Sequence, residues 1–132
     1  MGRLTTHVLN TADGVPAAGM TVRLLEAGTR AVLRESHTNT DGRVSTPLLE
    51  AEALVPGQYV LAFHVADYFR AQGAKLAEPP FLDVVEIAFG ISDATAHYHV
   101  PLLVSPGAIQ PTGAVDAIAA YPRSFSAQGR EI

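Results

Sequence analysis

The chain contains no cysteine and no tryptophan, and Lys75 is its only lysine. Without cysteine it forms no disulfide, no thiolate nucleophile and no cysteine-ligated zinc site. Nine basic against thirteen acidic residues give a net charge of −4, and the sequence has no basic cluster of the kind that nucleic-acid binding requires. No apolar run reaches the roughly 18 residues of a membrane-spanning helix, and the N-terminus lacks the apolar segment of a secretory signal. We therefore expect a cytoplasmic protein without a nucleic-acid or membrane partner.

The length of 132 residues corresponds to one domain with a self-sufficient core. Hydrophobic residues make up 48% of the chain and charged residues only 17%, where about 25% is usual for soluble domains. The low charge indicates that part of the surface is buried between subunits.

Short β-rich segments alternate with turns along most of the chain. Many short strands with regular turns predict an all-β sandwich or barrel. One exception is the segment 67–73, which begins with Asp67, ends at Gly73 and predicts a short helix capped by Asp67. A helical turn is also compatible with 47–54. The predicted strands cover residues 4–9, 20–26, 31–39, 58–65, 82–89 and 99–104.

The composition changes after residue 106, where Gly, Ala, Pro, Ser and Gln become frequent and the alternation ends. Such a composition is typical of tails and linkers. We therefore predict a folded domain over 1–106 and a divergent C-terminal tail or linker over 107–132.

Three histidines and one arginine are candidates for a functional site. His7 lies in the first predicted strand, and His97 and His99 occupy alternate positions of another strand, so their side chains share one face. Imidazole serves as general base, proton donor or metal ligand near neutral pH. Taken alone, each histidine is as readily explained as a polar residue on the solvent-facing side of a sheet, and Arg43 as a solvated turn residue. A zinc site with three histidine ligands stays open as an alternative.

Four segments, in the same order, carry a resemblance to a known family. Residues 4–11 (LTTHVLNT) resemble its motif LTTHVLDT, and residues 38–43 (TNTDGR) resemble TNxDGR. The blocks 63–85 and 97–106 (HYHVPLLVSP) match its central and final segments. The chain thus resembles the 5-hydroxyisourate hydrolases, the transthyretin-like enzymes of urate breakdown, over residues 4–106.

This resemblance implies a transthyretin-like β-sandwich of two four-stranded sheets with one short helix, assembled as a homotetramer. It implies a hydrolase that opens the six-membered ring of 5-hydroxyisourate, a small purine-derived substrate, without a metal or organic cofactor. The product is 2-oxo-4-hydroxy-4-carboxy-5-ureidoimidazoline. By position, His7, Arg43 and His99 correspond to the catalytic residues, and His97 to a neighbouring substrate-binding residue.

The chain departs from the family after residue 106, because it lacks the closing tetrapeptide YRGS. Its nearest equivalent is the segment containing Tyr121, Arg123 and Ser124, which offers the same side chains at a different spacing around Pro122. We predict that these three residues take part in substrate binding. The alternative is a transthyretin-like domain retooled for a related cyclic substrate, or one that binds a ligand without hydrolysis.

Overall fold

The computed structural model describes residues 2–111, 114–115 and 118–120. Eleven strands, one α-helix and one turn of 3₁₀-helix make up this part of the chain. The strands are β1 (Arg3–Asn10), β2 (Val15–Pro16), β3 (Thr21–Glu26), β4 (Val32–His37), β5 (Leu49–Glu50), β6 (Gly57–His64), β7 (Val84–Ile91), β8 (His97–Ser105), β9 (Ala108–Pro111), β10 (Ala114–Val115) and β11 (Ile118–Ala120).

The strands form two sheets, which confirms the predicted all-β sandwich. One sheet is antiparallel with four strands in the order β4-β3-β6-β7, as expected. The other is built on the parallel pair of β1 and β8 and has seven strands instead of four. The sheet has more strands than expected because β5 pairs with only part of β1, and β9 with only part of β8. Other backbone groups of β1 pair with β2, and other backbone groups of β8 pair with β10.

The core lies between the two sheets and follows the alternation of the strands. In β6, Tyr59, Leu61 and Phe63 point inward at every second position, and Phe63 is fully buried. In β1 the inward positions include Leu4 and Val8, both fully buried. The alternate positions Thr5 and His7, the first candidate histidine, therefore lie on the outer face of the seven-stranded sheet.

The helix α1 (Val65–Ala71) begins two residues earlier than predicted, and Asp67 is not its cap. The amides of Val65 and Ala66 both donate to the carbonyl oxygen of Asp83 at 3.1 Å. Because the backbone before β7 satisfies these first donors, the helix needs no capping side chain. The helical turn expected within 47–54 is the 3₁₀-helix Ala51–Ala53.

The seven-stranded sheet continues beyond the predicted domain boundary at residue 106. β9 pairs antiparallel with the end of β8, with Ala108 opposite Ser105 and Gln110 opposite Leu103. None of the helices in the described ranges is long and apolar enough to cross a membrane.

Candidate active site

The candidate site lies on the outer face of the seven-stranded sheet, where β1 and β8 run side by side. Their parallel register places Thr5 opposite His99. His97 and His99 share the outer face, whereas Tyr98 between them points into the core and is 5% exposed. The alternation predicted for this segment is therefore correct.

The loop 39–43 brings Arg43 to the same face. Arg43 forms an isolated antiparallel bridge with His7 of β1, and the amide of Val8 donates to the carbonyl oxygen of Gly42 at 2.8 Å. The His7 ring contacts the loop as well, since its Nε2 lies 2.9 Å from the carbonyl oxygen of Asp41. A carbonyl oxygen only accepts, so Nε2 of His7 carries the proton in this hydrogen bond.

Local hydrogen bonds and one glycine hold this loop in shape. The side-chain oxygen of Asn39 accepts from the amides of Asp41 (2.9 Å) and Arg43 (3.2 Å). Gly42 has φ +77°, and a Cβ at this position would collide with the carbonyl oxygen of Val8. Glycine is required here both for the left-handed conformation and for the close approach to β1.

His99 makes one hydrogen bond within the sheet and lies near Arg43 and His7. Its Nδ1 lies 2.8 Å from the hydroxyl oxygen of Thr5, and the ring is half-buried. Burial lowers the pKa of His99 below its usual range, and the charges of Arg43 and His7 lower it further. His99 is therefore neutral at physiological pH, with its Nε2 free of this contact.

Among the described residues, His97 takes no part in these hydrogen bonds. His97 lies on the same face as His99, and within the described part of the chain its buried Nδ1 has no hydrogen-bond partner. Tyr121, Arg123 and Ser124 lie outside the described residues. Among the residues that are described, no three His, Asp or Glu side chains are grouped closely enough to hold a metal ion.

Sequence reasoning missed Thr5 and the Asp41 carbonyl group. Thr5 precedes His7 by two positions in a strand, so the period-two alternation already places both on one face. That signal was available for Thr5. The contact of Asp41 with His7 has no comparable signal, because it depends on how a loop more than thirty residues away docks on β1.

Comparison with known proteins gives consistent matches over this same region. The HIUase/Transthyretin family matches residues 4–110. A 5-hydroxyisourate hydrolase 2 of Rhizobium meliloti (strain 1021) is 55% identical over 107 residues, which are 80% of this chain and 89% of the relative. The solved 5-hydroxyisourate hydrolase of Klebsiella pneumoniae superposes with a TM-score of 0.69 at 31% identity, covering 84% of this chain and 91% of that one. A solved (S)-allantoin synthase gives a TM-score of 0.79 at 38% identity, covering 83% of this chain but only 42% of the synthase.

Proposed function

This chain belongs to the HIUase/transthyretin family, and we propose that His7, Arg43 and His99 form the site at which it hydrolyses 5-hydroxyisourate. The family predicted from the sequence is thereby confirmed. The observation that carries the assignment of the site is the convergence of three separate segments, β1, the loop 39–43 and β8, on one outer face. The assignment of the activity rests on relatives named 5-hydroxyisourate hydrolase, which are identical to this chain at about half of the aligned positions over most of its length.

The reaction adds water to an amide carbonyl carbon of the six-membered ring. The oxygen of water becomes part of the new carboxylate, the carbon–nitrogen bond breaks, and the leaving nitrogen takes up a proton. A neutral imidazole removes the proton from water as it attacks. The guanidinium of Arg43 stabilises the negative charge that develops on the carbonyl oxygen. These groups supply what the hydrolysis needs without a metal or organic cofactor.

Further substrate contacts come, in this proposal, from His97 and from the C-terminal segment. The His97 Nδ1 is buried on the site face with no partner among the described residues, so a substrate group would satisfy it. Tyr121, Arg123 and Ser124 take the place of the absent YRGS tetrapeptide. Replacing each in turn by Phe, Gln and Ala should raise KM if they bind the substrate.

A homotetramer suits a site that lies on the outer face of a sheet. In the described part of a single chain Arg43 is exposed and His7 and His99 are only half-buried, whereas a charged transition state is stabilised best where water is excluded. We propose that subunits pack over the site and form a channel, in keeping with the low charge content of 17%. Light scattering at assay concentrations tests this, and a monomer with full activity would contradict it. The cytoplasmic location stays a prediction.

A coupled assay tests the activity directly. Urate oxidase generates 5-hydroxyisourate, and its ultraviolet absorbance is followed with and without this protein. We expect faster decay with the protein and decay at the spontaneous rate with His7→Ala, Arg43→Ala or His99→Ala. His37→Ala is the matched control, because His37 is exposed on β4 of the other sheet and should leave the rate unchanged.

The second candidate function is ring chemistry on a related cyclic substrate, or ligand binding without hydrolysis. The observation that favours it is the missing YRGS tetrapeptide. Decay at the spontaneous rate with the folded wild-type protein would support this candidate and refute the hydrolase. Purine-like rings would then be tested for binding by calorimetry, with His99→Ala as the control.

A further inference from the structure

We propose that Thr5 is a positioning residue that holds His99 as the Nε2–H tautomer, which leaves His7 as the base and makes His99 a neutral hydrogen-bond donor to the oxyanion. This inference rests on the proposed function and deepens it. It divides the work between two histidines that the sequence leaves equivalent.

The tautomer of His7 follows from its contact with the loop. Its Nε2 donates to the carbonyl oxygen of Asp41 at 2.9 Å. A neutral imidazole has one proton, so Nδ1 of His7 carries the lone pair. That nitrogen is the base which takes a proton from the attacking water. Because Asp41 is two residues from Arg43, the same loop orients the base and places the guanidinium.

The ring of His99 makes its hydrogen bond through Nδ1, and the partner is the hydroxyl of Thr5. The only hydrogen-bond partner of this hydroxyl among the described residues is Nδ1 of His99, at 2.8 Å. A hydroxyl either donates to or accepts from a ring nitrogen. With the base already assigned to His7, a site for hydrolysis needs a donor from the second ring. Thr5 therefore donates its proton to Nδ1, and Nε2–H of His99 is left to face the substrate.

The charges around His99 support this role. Burial is the largest cause of the lowered His99 pKa, and the nearby Arg43 of the loop and His7 of β1 lower it further. A neutral His99 has one unprotonated ring nitrogen, and in the Nε2–H tautomer this nitrogen is Nδ1, which accepts from the Thr5 hydroxyl. His97 of the same strand lies on the same face.

Each proton and bond is accounted for in the resulting step. Nδ1 of His7 takes a proton from water, and the water oxygen bonds to the carbonyl carbon. The oxyanion is held by Arg43 and by Nε2–H of His99. When the carbon–nitrogen bond breaks, His7 passes its proton to the leaving nitrogen and returns to the neutral form. His99 keeps its proton throughout, and the second proton of the water is released when the new carboxylic acid ionises to the carboxylate.

Nitrogen NMR of the imidazole rings tests the tautomer without any substrate. In the wild-type protein at pH above 7, we expect His99 with a protonated Nε2 and an unprotonated Nδ1. The reverse pattern would overturn the proposal even if the protein hydrolyses 5-hydroxyisourate. Conversely, a protein without hydrolase activity would refute the proposed function, whereas the His99 spectrum would still report on Thr5.

Two substitutions extend the test to catalysis. Thr5→Val keeps the shape and removes the hydroxyl, and we expect kcat to fall about tenfold with KM little changed, because the donor acts on the transition state. Thr5→Ser should restore both kcat and the wild-type His99 tautomer. A Thr5→Val enzyme with wild-type kcat and His99 spectrum would contradict the proposal.

Thr6→Val is the matched control one position along β1. The Thr6 hydroxyl points the other way and donates to the carbonyl oxygen of Val100 at 2.6 Å in the sheet interior. We expect this variant to lower the melting temperature while kcat and the His99 tautomer stay at wild-type values. Equal loss of kcat in both variants would show that Thr5 acts only through stability and would overturn its positioning role.

Discussion

Gly42→Ala should remove activity by releasing the loop 39–43 from β1. Gly42 is buried with φ +77°, and an added Cβ would collide with the Val8 carbonyl oxygen and come within 3.2 Å of Ala17 N and Pro16 Cβ. The left-handed conformation costs an alanine about 1–2 kcal/mol. To avoid the collision the loop must also give up the hydrogen bond from the Val8 amide, worth about 1 kcal/mol. We therefore expect a loss of about 2–3 kcal/mol in unfolding free energy.

Gly14→Ala separates conformational cost from displacement of the loop. Gly14 has φ +70°, but an added Cβ meets nothing within 4 Å. This variant should lose only the conformational term of about 1–2 kcal/mol and keep its kcat. Urea unfolding and the coupled decay assay, run on both variants, compare the two.

The decisive outcome is the difference in kcat between these glycine variants. Displacement of the loop moves Arg43 and the Asp41 carbonyl away from His7, and misplacement of catalytic groups by about 1 Å can cost on the order of 100-fold in rate. If Gly42→Ala kept the kcat and stability of Gly14→Ala, the docking of this loop would not position the site, and our reading of it would be wrong.

Three further predictions concern Arg43, His99 and Asn10. Arg43→Gln should lower kcat by about 10²–10³-fold, because the oxyanion loses a charged donor. The same change should raise the pKa of His99, which stays below 6.5 because burial is the larger cause of its shift. An NMR titration of His99 that is unchanged in this variant would contradict the prediction. In the unfolded chain His99 has its ordinary pKa of 6.5, which is above its pKa in the folded protein. The free energy of unfolding should therefore fall as the pH drops from 6.5 towards the folded pKa, and His99→Gln should reduce this pH dependence. Asn10→Ala should cost about 1–3 kcal/mol in urea unfolding, since this buried amide binds Asp13 and Tyr68; wild-type stability would refute it.

Much of the fold was predictable because strand alternation is a local property. The inward residues of β6 and the shared face of His97 and His99 both follow from period two. The start of α1 was not predictable in the same way. Its first amides bind the carbonyl oxygen of Asp83, which follows the helix by many residues, so the polar Asp67 gave a misleading local signal.

The candidate site shows the same division between local and distant information. Motif resemblance identified His7, Arg43 and His99, but their mutual geometry depends on the parallel pairing of β1 with β8 and on the docking of a loop. Neither contact can be predicted from the periodicity of hydrophobic residues in the sequence. By contrast, Asn10 acts locally at the end of β1, where its side-chain oxygen accepts from the amides of Ala12 and Asp13.

The parallel pairing of β1 with β8 also has a consequence for how the protein folds. Thr5 and His99 are 94 positions apart, so this contact closes a loop that spans most of the chain. Contacts of such long range slow folding, and here they complete the site. During refolding, the recovery of enzyme activity should therefore lag behind the burial of the β6 core. The return of enzyme activity would then report when the last step of folding is complete.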